Sequence, residues 1–180
     1  MVYVMLADGF EEIEALTVVD VLRRAGIDVS TVSISDSKTV TGSHNISVIS
    51  DTLLDNADLD NAEMIVLPGG MPGTNNLYNN HVLEKSISHR VKSNKWIAAI
   101  CAAPIILGKR GHLKDLEAVC YPGFETELIG ATVKNDKVVI SNNIITSKGP
   151  GTALDFALAI VSVLKDESTA KKLRAGMQAE

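Results

Sequence analysis

The feature that most constrains the fold is a unit that recurs along the 180 residues: a short apolar run, a turn that contains glycine, and a segment with helical periodicity. Short continuous apolar runs are typical of strands buried on both faces of a sheet. Strands that alternate with helices indicate a mostly parallel sheet with helices on both faces. Because the length also suits one domain, we predict a single α/β domain over residues 1–180.

Individual elements follow from the same patterns. Strands are predicted over 2–7, 27–34, 64–67, 96–100, 117–120 and 144–147, and helices over 11–25, 81–93, 152–164 and 166–177. The polar segment 35–45 is predicted to be a loop or a hairpin connection. Residues 132–141 are predicted to form a hairpin that turns at Asn135-Asp136, because these residues tolerate positive φ.

Charge and cysteine content narrow the partners and the location. The formal net charge of −5 gives no electrostatic reason to expect a nucleic acid or an anionic membrane as partner. The start of the chain lacks the basic region of a signal peptide, and the apolar runs are too short to span a bilayer. Two cysteines, Cys101 and Cys120, cannot form a disulfide framework and fit a reducing compartment. We therefore expect a soluble, cytoplasmic protein.

Cys101 carries the clearest chemical signature. It directly follows the predicted strand WIAAI, opens a helical run, and is flanked by alanines. This is the pattern of a nucleophile elbow, in which small neighbours allow a strained turn that exposes the nucleophile. Because a helix N-terminus favours negative charge, the pattern predicts a lowered thiol pKa and a thiolate near neutral pH. The alternative interpretation is a buried structural cysteine.

Two further strand ends should meet Cys101 at one edge of the sheet, because parallel strands share one direction. Gly69 and Gly70 follow the strand predicted over 64–67, and an acidic segment follows the first strand. Glycine lets backbone N–H groups approach a ligand, so the N–H groups of Gly70 and Ala102 are candidate donors of an oxyanion hole. A simple strand-to-helix turn explains the Gly-Gly pair equally well.

The acidic segment places three carboxylates in the first turns of the first helix: Glu11, Glu12 and Glu14. The first two are explained as ordinary partners of the helix dipole. Glu14 lies beside Ile13, which together with Leu16 has the spacing of a core face, so its carboxyl is expected at the buried edge near Cys101. A buried carboxyl beside a thiol should share one proton with it, which makes Glu14 a candidate proton carrier.

Other familiar motifs are absent from the sequence. None of the histidines, His44, His81, His89 and His112, follows a predicted strand, and no CxxC or HExxH spacing indicates a metal site. No GxGxxG or GxxxxGK[ST] motif indicates a nucleotide. Cys120 ends a predicted strand, but a core position explains it better than a place beside the nucleophile. The sequence therefore predicts neither a metal nor a cofactor.

Four blocks of the chain are similar to the ThiJ/PfpI superfamily, and within it to the branch that contains the parkinsonism-associated protein deglycase and its bacterial relatives. They read ADGFEEIEALTVVDVLRRAGIDV, IVLPGGMPGTNNL, IAAICAAPIIL and ITSKGPGTALDFALAIV. The resemblance extends in order over nearly the whole chain. It implies a flavodoxin-like three-layer sandwich, related to class I amidotransferases, that forms a homodimer.

The resemblance also implies roles for particular residues. Cys101 would be the reactive nucleophile, and Glu14 the buried acid hydrogen-bonded to it. Gly70 and Ala102 would supply the oxyanion-binding N–H groups. Three more residues would lie near the site: Gly69, Tyr121 and Pro122.

The family's dimer interface implies contacts between subunits around Asp20, Arg24 and His44. Two positions depart from relatives in other branches. Tyr121 stands where some members have a histidine near the cysteine, which leaves Glu14 as the evident proton carrier. Ala102 stands where the protease-like branches have a histidine directly after the nucleophile, so a peptidase is disfavoured.

Three functions remain open at this stage. The first is a cofactor-independent glyoxalase or protein deglycase, in which Cys101 attacks a 2-oxoaldehyde such as methylglyoxal, or its adduct on a protein or nucleotide, and a 2-hydroxy acid is released. The second is an oxidative-stress sensor or chaperone that uses oxidation of Cys101. The third is a related cysteine hydrolase built on the same elbow.

Overall fold

The computed structural model describes residues 1–179 and contains six α-helices and eleven strands in that range. The strands are β1 (Val2–Leu6), β2 (Val29–Ser33), β3 (Thr39–Thr41), β4 (Ser47–Ile49), β5 (Thr52–Leu53), β6 (Met64–Leu67), β7 (Trp96–Ile100), β8 (Glu117–Ala118), β9 (Thr132–Val133), β10 (Val138–Ser141) and β11 (Ile144–Ser147). The helices are α1 (Glu12–Arg24), α2 (Gly73–Asn79), α3 (His81–Lys92), α4 (Pro104–Gly108), α5 (Ala153–Leu164) and α6 (Glu167–Gly176).

Seven strands form the central sheet in the order β10-β11-β7-β6-β1-β2-β5. All neighbouring pairs are parallel except β10 and β11, which are antiparallel. Strands β7, β6 and β1 are therefore consecutive, and their carboxyl ends lie side by side. This adjacency brings together the three junctions that the sequence singled out.

Helices cover both faces of the sheet, because successive strand residues point to opposite sides. Along β1, Val4 and Leu6 pack with helices α1, α5 and α6, whereas Met5 packs with α2, α3 and α4. The first layer buries Leu22 and Phe156. The predicted three-layer α/β architecture with a mostly parallel sheet is confirmed.

Helix α1 turns a different face to the core from the one that the spacing indicated. Ile13 and Leu16 are 55% and 38% exposed, so their predicted place in the core is wrong. The buried apolar residues of this helix are Ala15, Val18, Val19, Val21 and Leu22. These two exposed apolar residues thus lie on the outer side of α1.

The C-terminal half corrects two further predictions. The strand expected over 117–120 is only β8, which lies outside the central sheet and pairs with β9 in parallel. The hairpin expected to turn at Asn135-Asp136 is wrong, because the antiparallel pair is β10 with β11. Its turn contains Asn142, whose φ of 51° shows the left-handed tolerance that asparagine offers.

Two shorter elements, the β3–β4 hairpin and helix α2, lie outside the central sheet. Segment 35–45 contributes β3, which forms a small antiparallel hairpin with β4. Helix α2 was not predicted, because Pro72, Gly73 and the following asparagines have the composition of a loop. None of the helices in the described part of the chain has the length and hydrophobicity that a transmembrane span requires.

Candidate active site

Cys101 lies in a sharp turn between β7 and α4 and is buried. Its φ of 65° is in the left-handed region, which a residue with a side chain adopts only at an energetic cost. The turn is fixed on both sides, because Cys101 N–H donates to the carbonyl of Ser147 at 2.9 Å and its own carbonyl accepts from Tyr121 N–H at 2.8 Å. These contacts with β11 and with the segment after β8 hold the strained backbone of this strand-to-helix turn.

The Gly-Gly pair after β6 lies directly against this turn. A Cβ at residue 69 would lie 2.6 Å from Cys101 Cβ and 2.8 Å from Glu14 Oε2, so only glycine fits there. Gly70 has a φ of 87°, which suits glycine. The backbone N–H groups of Ala102 and Gly70 lie close enough to the Cys101 sulfur to lower the pKa of its thiol. Both amides therefore act on Sγ, and their role as oxyanion donors stays a prediction.

Glu14 is completely buried at the same point. Its Oε2 accepts the N–H of Gly69 at 2.7 Å, while its Oε1 accepts no hydrogen bond of ordinary geometry from residues 1–179. Burial raises the pKa of Glu14 to about 7, although the Cys101 thiol and the Gly69 amide oppose the change. The carboxyl therefore changes protonation near neutral pH.

The thiol of Cys101 is not a preformed thiolate. Burial, and then the charge and hydrogen-bonding influence of the nearby Glu14 carboxyl, raise the pKa of Cys101 to about 12, against the two amides of Ala102 and Gly70. The predicted lowering is wrong because α4 begins only at Pro104 and has five residues, so its dipole acts weakly on Cys101. The pair holds its proton on the sulfur while Glu14 is ionised.

A cavity of about 440 Å³ opens beside Cys101. Its lining residues are Glu11, Ile13, His44, Gly70, Met71, Cys101, Ala102, Tyr121, Phe124 and Pro150. The rings of Tyr121 and Phe124 lie 6.4 Å apart and form an aromatic wall. Sequence patterns indicated only part of this lining, because Met71 and Phe124 lie in loops and Pro150 begins a three-residue 3₁₀ helix, and no periodicity describes such segments.

Two neighbouring features lie outside this cavity. Pro122, expected near the site, instead lines a separate cavity of about 270 Å³ together with Cys120. Cys120 is buried, and burial raises the pKa of its thiol to about 11. A larger cleft of about 710 Å³ lies beside α3 and contains neither Cys101 nor Glu14. Among the described residues, Cys101, Gly70 and Ala102 line the 440 Å³ cavity, whereas Glu14 does not line it and lies fully buried against Gly69.

Comparison with known proteins gives the family. A family model described as the DJ-1/PfpI family matches residues 1–163. The chain belongs to the DJ-1/PfpI family. The resemblance seen in the sequence is confirmed, and the DJ-1/PfpI match includes Cys101, Glu14 and both amide donors.

Individual DJ-1/PfpI relatives agree in sequence and structure. Protein DJ-1 homolog B of Arabidopsis thaliana is 37% identical to this chain over 161 residues. These residues are 89% of this chain and 37% of the Arabidopsis protein, so this chain spans little more than a third of the length of that relative. Glutathione-independent glyoxalase DJR-1.2 of Caenorhabditis elegans is 35% identical over 86% of this chain and 83% of its own. The structure of oxidized DJ-1 from Toxoplasma gondii superimposes with a TM-score of 0.94 at 36% identity, covering 98% of this chain and 97% of that one.

Proposed function

We propose that the protein is a cofactor-independent glyoxalase that converts 2-oxoaldehydes such as methylglyoxal to 2-hydroxy acids, and that it also acts on their adducts with proteins or nucleotides. The observation that carries the proposal is the contact of a thiol with a buried carboxyl whose pKa is about 7. A general base works best when its pKa lies near the working pH. The glyoxalase relative from Caenorhabditis elegans supports the same reaction class.

The first step forms a covalent bond to the substrate. Glu14 accepts the thiol proton as Cys101 Sγ attacks the aldehyde carbon, and the carbonyl electron pair moves to the oxygen. Since Gly70 and Ala102 direct their N–H groups at the sulfur, they stabilise the negative charge as it passes from sulfur to the adjacent oxygen. Protonation of that oxygen gives a hemithioacetal.

The second step moves hydrogen between adjacent carbons. Glu14 removes the proton from the former aldehyde carbon and returns it to the neighbouring carbonyl carbon through an enediol, which leaves a thioester of the 2-hydroxy acid on Cys101. Water then cleaves the carbon–sulfur bond, releases the acid and restores the thiol. One carbon is oxidised and its neighbour is reduced, so the reaction needs no external electron acceptor.

The test is the formation of lactate from methylglyoxal by the purified protein without added cofactor. We expect Cys101→Ser and Glu14→Gln each to lower turnover by at least about a hundredfold, in the range that general acid–base catalysis contributes. Cys120→Ser is the matched control, because its thiol is also buried but lines a different cavity. Full activity in Cys101→Ser, with the fold confirmed by circular dichroism, would refute the mechanism.

A second candidate is a redox sensor, which the two amides facing Sγ favour. Peroxide would oxidise the thiol to a sulfenic acid with release of water, and the same N–H groups would bind the added oxygen. Peptide mass analysis during peroxide titration should find oxygen on Cys101 before Cys120. Equal or earlier oxidation of Cys120 would count against a sensor.

The proposal extends to assembly and location. Ile13 and Leu16 present an exposed apolar strip on α1, which supports a homodimer formed through this helix. Asp20 and Arg24 lie further along the same helix and pair with each other at 2.6 Å.

Both cysteines are free thiols, as is usual in the reducing cytoplasm.

A further inference from the structure

Four polar side chains meet where the start of α1 touches the turn between β3 and β4. His44 Nδ1 lies 2.9 Å from Glu12 Oε2 and 3.6 Å from Glu11 Oε2. Ser43 Oγ lies 3.3 Å from Glu11 Oε2, 3.4 Å from Glu12 Oε2 and 3.1 Å from His44 Nδ1. Two carboxylates, one imidazole and one hydroxyl from separate parts of the chain thus converge on a single point.

These atoms lie close enough together to surround one small cation. Nitrogen and oxygen ligands lie about 2.0–2.2 Å from a tetrahedral zinc ion, which places neighbouring ligand atoms roughly 3.3–3.6 Å apart. His44 Nδ1 lies 2.9 Å from Glu12 Oε2 and 3.6 Å from Glu11 Oε2, and the ligand atoms of all three residues lie within 4.8 Å of one another. A zinc-sized ion at the centre therefore requires the ligand atoms to move by at most about 1 Å.

The charges at this point are incompletely balanced. Glu11 and Glu12 are only 7% and 4% exposed, and buried charges need compensation. Glu12 accepts the backbone N–H of His44 at 2.8 Å as well as the imidazole. Glu11, in contrast, accepts only the shared hydroxyl of Ser43 among residues 1–179, and its Oε1 has no hydrogen-bond partner there. One imidazolium can neutralise one of the two carboxylates, whereas a divalent cation neutralises both.

We propose that Glu11, Glu12 and His44 bind a divalent cation of the zinc type, with Ser43 Oγ at the fourth corner. The imidazole ligand and the coordination number of four favour zinc over magnesium and calcium, because these two ions prefer six or more oxygen ligands. The ion would fasten the β3–β4 hairpin to the start of α1. Glu11 and His44 also line the cavity beside Cys101, so the site stands in the wall of that cavity.

The test measures zinc binding directly. The full chain carrying Cys101→Ser and Cys120→Ser, which removes both thiol ligands, is stripped with a chelator and titrated with zinc chloride by calorimetry. We expect one site per chain, weakened more than tenfold by His44→Ala or Glu12→Gln, since even outer-shell changes weaken metal sites by about 10–100-fold. His81→Ala is the matched control, because His81 is an exposed histidine beside a single carboxylate, Glu84.

Two further measurements make the outcome decisive. Zinc should raise the melting temperature of the parent chain and not that of Glu12→Gln, because a ligand stabilises the state that binds it. Cobalt(II) should give the visible absorption of a four-coordinate site that is lost with His44→Ala. Absence of zinc binding, or zinc binding that His44→Ala leaves unchanged, would overturn the proposal and leave the cluster as a hydrogen-bonded ion pair.

Discussion

Replacing Glu14 with glutamine should make the stability of the protein less dependent on pH, so that the variant compares better with wild type at alkaline pH than at acid pH. The pKa of Glu14 is about 7 in the folded chain against an ordinary 4.5, a difference of about 2.5 units. At roughly 1.4 kcal/mol per unit, ionised Glu14 costs the folded state about 3 kcal/mol. Because the folded pKa is raised, this cost is absent below pH 4.5, grows between pH 4.5 and 7, and is complete above pH 7.

Glutamine removes this pH dependence and retains much of the shape. Its amide oxygen can accept the Gly69 N–H, but its NH₂ group enters the place of Oε1, which has no hydrogen-bond partner among the described residues. That loss costs about 1–3 kcal/mol at every pH. The informative quantity is therefore the free energy of unfolding of Glu14→Gln minus that of wild type, which should rise by about 3 kcal/mol between pH 4.5 and pH 8.

Urea denaturation at both pH values measures this difference. Glu63→Gln is the control, because Glu63 is half exposed and should show little change. Parallel curves for wild type and Glu14→Gln from pH 4.5 to 8 would refute the raised pKa, and with it the reasoning that Glu14 carries protons for Cys101.

Two other predictions concern the shape of the site and the assembly. Gly69→Ala should lower turnover and cost about 1–3 kcal/mol of stability, because the added Cβ would collide with Cys101 and Glu14. Unchanged lactate formation and an unchanged urea midpoint would contradict the close contact of residue 69 with these two side chains. Leu16→Arg should halve the molecular mass measured by light scattering after gel filtration, because it places a charge on the exposed apolar strip formed by Ile13 and Leu16. An unchanged molecular mass would exclude this helix as the dimer interface.

The sequence predicted the central sheet well because its strands carry continuous apolar runs. Residues 64–67 and 96–100 were placed correctly, since MIVL and WIAAI are buried on both faces. The region of 117–147 was harder, because β8 and β9 have two residues each and give little periodicity. Asn135-Asp136 and Asn142-Asn143 are equally good turn sequences, and only the pairing of β10 with β11 distinguishes them.

Sequence patterns predicted which side chains form the site better than they predicted the protonation state of the thiol or the contacts between residues far apart in the chain. The strand-to-helix pattern found Cys101, but the thiol pKa depends on burial and on where α4 begins, neither of which a motif records. His44 is 32 residues from Glu12, so no local spacing could indicate their contact.

Because the pKa of the Cys101 thiol is raised, the thiol needs a neighbouring base to react. A thiol with a pKa near 12 is almost wholly protonated at neutral pH, so the strained turn alone cannot activate Cys101. The proton must leave as the bond to substrate forms, and the group in contact with the thiol that titrates near pH 7 is Glu14. The same burial that weakens Cys101 as a free nucleophile therefore makes Glu14 basic enough to accept its proton. Catalysis at this site accordingly depends on the pair, and Cys101 reactivity should fall with Glu14→Gln even though the remaining amide donors stay in place.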